Sequence, residues 1–575
     1  MPQAEALLRR AVQKDGSDQR AVFWLGRVLF DSGQLAQCVY FLEKAAALNP
    51  RHADSQGVLG LAQLSLGKVD EAEKRFKILL ELLPENPGAL NNLGLVHVQR
   101  NMLSAAAECF LRAIRRAPEP ALAMKDAVSN YALVVNQLGR ADEAVAMLEP
   151  LLAGHEGNYH YLQALAPIVT YSALPPRRVF EAHRDLGRLY PELPRPASRP
   201  LESNGKRRRL RVGLVSPDYR RHSVAYFLEP ILEHRDRTVV EYICYSATPQ
   251  PDDMTVRLKS LADGWREITG KADVAAAEIA KNDQLDVLVD LAGHTSGNRL
   301  AMFMLRPAPV AATYLGYANT TGLACIDWRI VDAITDPPPE ADALVTEKLE
   351  RLPGCFLCYS PAVGAPPPRP ARENGAPVVF GSFNAVAKLS PRALDTWTRL
   401  LAAAPGSKLL LKANAMTEQA TREWFAAEFA RRGVEPGRVE IVPFTKSFAD
   451  HIALYSRVDI ALDTFPYAGT TTTCEALSVG VPVVTLAEPI GVTGHAGRVG
   501  ASVLTAAGAP ELIANSVDEY IALAAGLAAD GGRLAEYHAT LPGRLRASPL
   551  CDGPAFARKF EAALVRMFEK TTAPA

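Results

Sequence analysis

The residues best suited to chemistry lie between Ile460 and Leu477. Ile460-Ala461-Leu462-Asp463 reads as a buried strand and Thr464 to Gly469 as a Gly-containing loop. Thr470-Thr471-Thr472-Thr473-Cys474-Glu475-Ala476-Leu477 then reads as a hydroxyl-rich helix start. A helix N-terminus presents unpaired N–H groups and a partial positive charge, which suits a diphosphate. The threonines add N-cap oxygens and donors, and Glu475 could accept from ribose hydroxyls. The same residues also fit a plain Thr N-cap with Glu three residues on, a capping box. Spacing alone does not choose between the two. The glycine pattern is neither a Walker loop nor Gly-x-Gly-x-x-Gly.

Other polar residues sit at similar places. The strand Val378 to Phe383 delivers Asn384 and Lys388 into a loop that opens a helix at Pro391. Earlier, Leu210 to Ser216 reads as a strand that runs into a polar loop ending at His222, then into an amphipathic helix through Leu232. Leu285 to Asp290 is a strand ending in Leu291-Ala292-Gly293-His294-Thr295. Val239 to Tyr245, Val310 to Leu315, Leu409 to Lys412 and Val439 to Val442 complete the expected strands. Strands alternating with helices imply parallel sheets covered on both faces. Ligands of such sheets sit at the carboxyl ends of the strands, where His222, Asp290 and His294 all fall. Each has a plainer reading. His222 can be a loop histidine satisfied by backbone, Lys388 a surface lysine, and Asp290 and His294 caps of their loop. His222 serves as a general base only if it reaches the proton it must remove.

The elements before these strands form a repeat array. Gly26, Gly60 and Gly94 are 34 residues apart, as are Gly33, Gly67 and Asn101, and Pro50, Pro84 and Pro118. This is the tetratricopeptide period, with small residues between antiparallel helices, Gly or Asn at the turn and Pro at the end. A fourth unit follows with four extra residues, placing Ala132, Gly139 and Ala144 in register 38 after Gly94, Asn101 and Ala106. Ala4 to Asp15 fits the second helix of a unit whose first helix is missing, so either the chain begins mid-repeat or a longer parent has been trimmed. Its uncapped apolar face is expected to be covered by another chain, giving an oligomer, or to fray. The array alone also supports a rival class, a scaffold or co-chaperone adaptor without chemistry.

Composition sets outer bounds. A chain of 575 residues suggests three or four domains at roughly 100–200 residues each. Lys+Arg and Asp+Glu both number 63, which argues against a general nucleic-acid or acidic-membrane binder. The run Lys206-Arg207-Arg208-Arg209 reads as a solvated linker. No apolar stretch reaches the roughly 18–20 residues of a membrane span, and Glu5, Arg9 and Arg10 interrupt any signal-peptide core. A cytoplasmic location is expected. Cys355 and Cys358 form one Cys-x-x-Cys without a second pair, read as a buried strand or loop rather than a metal site.

These motifs together resemble glycosyltransferase family 41, which comprises protein O-GlcNAc transferases and SPINDLY proteins. The resemblance rests on Val215-Ser216-Pro217-Asp218-Tyr219 with His222-Ser223-Val224, on Asp290 to Thr295, on Arg306-Pro307-Ala308-Pro309-Val310, and on Leu315-Gly316-Tyr317 with Thr320-Thr321-Gly322. Gly381-Ser382-Phe383-Asn384 with Lys388, and Asp463 to Tyr467, extend it. It implies a tetratricopeptide solenoid (1–156), a transition helix and linker (157–209), and a GT-B region of two Rossmann-like α/β lobes. These lobes are 210–368 and a nucleotide-sugar-binding 369–550, with a C-terminal helix (551–575) packing back. The implied chemistry is inverting and needs no metal or other cofactor. A protein Ser or Thr hydroxyl, its chain held partly by the concave repeat face, attacks the anomeric carbon as nucleoside diphosphate leaves. By resemblance Lys388 is the diphosphate lysine, Thr471 and Thr472 the helix-start threonines, Glu475 the ribose carboxylate and His451 a histidine beside the nucleotide. His222 falls on the active-site histidine of the first lobe, Arg498 on a basic position near the donor, and Asn384 beside the nucleotide. Two positions depart from the O-GlcNAc transferases: Thr470 replaces a His and Glu475 an Asp. The run Pro466 to Glu475 is instead similar to the plant SPINDLY form, which resembles O-fucosyltransferases using GDP-fucose. UDP-GlcNAc is the expected donor, because GlcNAc transfer is the commoner activity attributed to the family, and GDP-fucose is the alternative. Asp450 is the only acid between Phe444 and His451 that could favour a guanine edge. Lys388, Thr471, Thr472 and His222 are all intact, which argues against the adaptor reading.

Overall fold

A computed structural model describes residues 2–116, 125–153, 158–203, 206–361, 376–445 and 447–573. Pro118, Gly205, most of the Pro361 to Pro370 stretch, and the positions at the expected boundaries 156/157 and 368/369 lie outside the described residues. The chain divides into two compact units, 1–155 with 414–423, and 156–413 with 424–575.

The first unit is a stack of antiparallel helices, including Gln19–Asp31 and Leu35–Leu48, Ala53–Ser65 and Val69–Leu82, and Pro87–Gln99 and Leu103–Arg116. The 34-residue glycines have a steric cause. A Cβ on Gly60 would lie 2.6 Å from the Phe76 ring and one on Gly94 2.5 Å from the Phe110 ring, so only glycine lets each helix pair close. The turn positions Gly33, Gly67 and Asn101 take positive φ of 74°, 73° and 57°, the conformation that favours Gly and then Asn. The first helix, Pro2–Lys14, forms with no residue fully buried, and Leu8 and Val12 rest against the first repeat's core. Residues 414–423 belong to this unit. There Glu418 accepts from Ser104 N–H at 2.8 Å and Ala105 N–H at 3.3 Å, satisfying the orphan donors at the start of Leu103–Arg116.

The second unit carries two parallel sheets. The first contains β1 (Leu210–Ser216), β2 (Val240–Ser246), β3 (Gly264–Glu267), β4 (Val287–Asp290), β5 (Val310–Thr313), β6 (Trp328–Asp332) and β7 (Lys348–Leu352). They lie in the order β3-β2-β1-β4-β5-β6-β7, all parallel. The second contains β8 (Val379–Ser382), β9 (Lys408–Lys412), β10 (Val439–Val442), β11 (Ile460–Leu462), β12 (Val483–Leu486) and β13 (Ile513–Ala514). Their order is β10-β9-β8-β11-β12-β13, again parallel. Each sheet reverses its winding once, between β1 and β4 and between β8 and β11. At such switch points the loops diverge and open a crevice at the carboxyl ends of the strands. The fold is therefore a helical repeat array followed by two doubly wound α/β lobes. The last helix, Gly553–Thr572, lies on the first lobe, where Glu561 accepts from Asp236 N–H at 2.9 Å and Trp328 donates to Thr571 at 2.7 Å.

The structure departs from the sequence reading in two respects. β3, β6, β7, β12 and β13 lie outside the expected strands: Trp-Arg-Glu and Lys-Leu-Glu-Arg-Leu do not look like buried strands, and Val483–Leu486 and Ile513–Ala514 are short. The basic run is not wholly solvated. Arg208 makes a bidentate pair with the buried Asp286 at 2.6 and 2.7 Å, because the carboxylate, buried at the amino end of the central strand β4, needs a cation. Cys355 to Tyr359 form a buried loop, not a strand.

Candidate functional site

The second lobe's switch point builds a polar pocket from β8 and β11. Asp463, just past β11, accepts N–H bonds from Thr464 at 2.9 Å and Gly469 at 2.5 Å, and the Thr485 hydroxyl at 2.6 Å. These bonds curl the loop back so that Thr470 begins the helix Thr471–Ser478. Burial pushes the Asp463 carboxyl up to about 6. Thr470 makes no side-chain cap bond, and Glu475 turns away to His451, so the capping-box reading does not hold. Thr471 Oγ1 is buried without a hydrogen-bond partner among the described residues. Thr472 Oγ1 donates to Asn384 Oδ1 at 2.9 Å, and Asn384 donates to Ser382 at 3.3 Å.

Lys388 ends the short helical turn after β8. Its Nζ donates to Ala468 O at 2.7 Å and lies 4.1 Å from the centre of the Tyr467 ring. The cation is thus fixed on the loop that immediately precedes the helix N-terminus. Burial lowers the Lys388 ammonium to about 8, with Asp463 acting in the opposite direction.

On the other side of the pocket, His451 lies on Phe448–Leu454. Its Nε2 is 3.0 Å from Glu475 Oε2, and its Nδ1 is 2.7 Å from Lys412 Nζ at the end of β9. Asp450 does not turn into the pocket. It is exposed and accepts from the Ser447 hydroxyl at 2.7 Å, while Ser447 caps the helix through Asp450 N–H at 3.0 Å.

The first lobe places its candidates at its own switch point. His222 caps the helix Ser223–Glu233, its Nδ1 accepting from Val224 N–H at 3.3 Å and lying 3.8 Å from Asp218. Desolvation in the cleft lowers the His222 pKa from its ordinary value, with Asp218 opposing. Asp290 is turned inward and holds its loop, accepting from Ala292 N–H at 3.1 Å, Gly293 N–H at 2.8 Å and Thr313 Oγ1 at 2.8 Å. Burial raises it to about 6. His294 Nε2 donates to Thr321 O at 2.7 Å, and its ring packs 5.3 Å from Tyr317 and 5.5 Å from His183.

The two switch points face each other. Tyr226, on the His222 helix, packs 6.4 Å from Phe448 on the His451 helix. Tyr467, over which Lys388 sits, stacks on Tyr171 at 4.8 Å. Neighbouring Thr170 meets the Tyr317 hydroxyl at 3.2 Å, which links this stack to His294. Arg498 turns its guanidinium to backbone oxygens: it donates to Ile334 O at 2.8 Å and to Glu488 O, tying the lobes together. Beside it His495 Nδ1 meets Asp336 Oδ2 at 2.5 Å, and Asp336 also pairs with Arg329 at 3.5 Å. Lys412, Tyr467 and the Arg329–Asp336–His495 cluster were missed from sequence. Their partners are far along the chain, and only Lys412, as a cation ending an apolar strand, carried a local signal. Among the described residues no group of three or more His, Cys, Asp or Glu could hold a metal ion.

Comparison with known proteins fits this geometry. The family model described as glycosyl transferase family 41 matches residues 195–360 and 372–560. A tetratricopeptide repeat model matches 58–121, and one for anaphase-promoting complex, cyclosome, subunit 3 matches 1–78. The chain is 43% identical over 408 residues to a protein of Oryza sativa subsp. japonica named probable UDP-N-acetylglucosamine–peptide N-acetylglucosaminyltransferase SPINDLY, covering 68% of this chain and 42% of that protein. It is 30% identical over 417 residues to the Arabidopsis thaliana protein of the same activity name called SEC, covering 70% of this chain and 42% of that one. The chain thus spans well under half the length of these curated relatives. Among solved structures, a mutant of Thermobaculum terrenum O-GlcNAc transferase superposes with a TM-score of 0.81 at 33% identity, over 90% of this chain and 98% of that one. With its repeats, its two facing lobes and a family match across both of them, the chain belongs to glycosyl transferase family 41.

Proposed function

We propose that this chain is an inverting protein O-glycosyltransferase that transfers GlcNAc from UDP-GlcNAc to Ser or Thr of protein acceptors, without a metal. The observation that carries this reading is the Lys388 cation held at 2.7 Å on the loop that opens the Thr471–Ser478 helix, whose first residue, Thr471, has a buried hydroxyl without a hydrogen-bond partner among the described residues. A diphosphate leaving group there meets an ammonium, free helix N–H groups and a hydroxyl, all preorganised where negative charge develops. The acceptor oxygen bonds to the anomeric carbon as the bond from that carbon to the diphosphate oxygen breaks. The hydroxyl proton passes to His222 Nδ1, whose single lone pair gives up its long 3.3 Å bond from Val224 N–H to take it. Asp218, 3.8 Å away, favours the imidazolium that forms. Glu475 accepts from the ribose hydroxyls, Asn384 aligns Thr472, and the concave face of the repeats holds part of the acceptor chain. Asp290 and His294 shape the loop against which the sugar rests, and Arg498 holds the lobes together beside the donor.

A second reading, fucose transfer from GDP-fucose, is favoured by Thr470 and Glu475 and by the higher identity to the SPINDLY relative. Calorimetric titration with UDP and with GDP separates them. UDP is expected to bind at least about tenfold tighter, a difference of about 1.4 kcal/mol. Equal or tighter GDP binding overturns the GlcNAc assignment in favour of fucose.

A further inference from the structure

Lys412 is 3% exposed, unusual for a lysine. Its ammonium lies 5.4 Å from the centre of the Phe383 ring and 4.8 Å from that of Phe444. Its hydrogen-bond partner is His451 Nδ1, at 2.7 Å. An ammonium has three donors and no acceptor, so Nδ1 must present its lone pair. A neutral imidazole with an accepting Nδ1 carries its proton on Nε2. That atom is the one 3.0 Å from Glu475 Oε2. The other tautomer, or an imidazolium, would set an N–H against the ammonium. The geometry therefore reads in one direction only: Lys412 donates to His451, and His451 donates to Glu475. All three groups lie largely out of water, with side-chain exposures of 13% for His451 and 8% for Glu475, so the chain of bonds is not replaced by solvent.

We propose that Lys412 is a positioning residue of the nucleotide lobe, locking His451 in its Nε2–H tautomer so that the ring holds the Glu475 carboxylate in place for the donor's ribose. This rests on the reading that the lobe binds a nucleoside diphosphate sugar. Removing the ammonium frees Nδ1 to take the proton. Glu475 still accepts from Nε2–H, but nothing then keeps a proton off Nδ1, so the ring is no longer confined to one form and orientation and its hold on the carboxylate loosens.

The test uses the full chain, labelled with 15N and 13C in histidine and free of nucleotide. The His451 ring signals are assigned by comparison with His451→Gln. In the wild type and in Lys412→Arg, which keeps a donor to Nδ1, the ring is expected to be the pure Nε2–H tautomer. In Lys412→Met Nδ1 gains a proton, and the Kd for the preferred nucleoside diphosphate, measured with both UDP and GDP, rises about tenfold, with Lys412→Arg restoring most of it. A wild-type ring that is charged or Nδ1–H overturns the proposal whether or not the variants fold. So does a Met variant that keeps the Nε2–H tautomer or binds nucleotide like the wild type. If the wild type binds neither UDP nor GDP, the nucleotide reading fails, while the ring signals still decide what Lys412 does to His451.

Discussion

Replacing Lys388 by Ala removes the side-chain cation held on the loop before the Thr471–Ser478 helix. The structure bounds the consequences. The ammonium is half-buried, donates a 2.7 Å bond to Ala468 O and lies over the Tyr467 ring. Asp463 keeps its bonds from Thr464, Gly469 and Thr485 without it. The loop is therefore retained, and the loss falls on the leaving group. Removing a positioned electrostatic stabiliser costs about 10²–10³-fold in kcat, or about 2.7–4 kcal/mol. The pH dependence gives a second magnitude. With the free-enzyme ammonium lowered to about 8, Lys388 is about ten-to-one protonated at pH 7 and about one-to-ten at pH 9. Because kcat/KM reports ionisations of the free enzyme, it falls about tenfold between pH 7 and pH 9, about fivefold of that between pH 8 and pH 9. Lys412, also pushed down to about 8 by burial, titrates in the same range, so the profile is repeated in Lys412→Arg, where the Lys388 limb must remain. The assay is radiolabelled sugar transfer to a protein acceptor over pH 5.5–9.5, with the circular dichroism of the variant as a check on folding. A folded Lys388→Ala enzyme turning over within about fivefold of the wild type, against the about 10²-fold loss expected, would refute the placement of the diphosphate.

Other outcomes follow from the same geometry. His222 must be unprotonated to take the acceptor proton, and its pKa lies below the ordinary histidine value. kcat/KM should therefore fall on the acid side only below about pH 6.5, and His222→Asn should abolish that limb along with most turnover. Gly316→Ala would put a Cβ 1.9 Å from Leu291 O. Backbone cannot yield as a side chain does, so chemical denaturation should show a loss of about 3 kcal/mol, the upper end for overpacking. Asp336→Asn leaves Arg329, 3.5 Å away and itself buried, without its counter-charge. Stability should drop by about 3–5 kcal/mol, as for a broken buried pair, measured by urea unfolding.

What the sequence could reveal tracks how local each physical cause is. The repeat glycines are legible because their reason, a facing Leu or Phe sixteen residues on, recurs in three successive units. β1, β4 and β11 are legible because strands buried on both faces are apolar throughout. β6 is hidden because Arg329 is buried only through Asp336 and His495, and the latter belongs to the other lobe. Arg208 reads as solvated because its partner Asp286 is 78 residues away. Thr471, Thr472 and Lys388 could be gathered from motif order. The choice between an N-cap and an anion site could not, since it depends on Glu475 meeting His451 instead of the helix start. Lys412 ends an apolar strand, where a lysine ordinarily emerges into water. Its burial depends on two rings and a histidine that the fold alone brings together.

The most direct test of the account is transfer itself. The purified chain is incubated in excess chelator with UDP-GlcNAc or GDP-fucose and a protein lysate, and sugar on Ser or Thr is identified by mass spectrometry. The account predicts turnover with UDP-GlcNAc that chelation does not reduce and Lys388→Ala removes. Turnover with GDP-fucose alone would keep the site and change the sugar. No transfer from either donor, or transfer that requires added divalent metal, would contradict it.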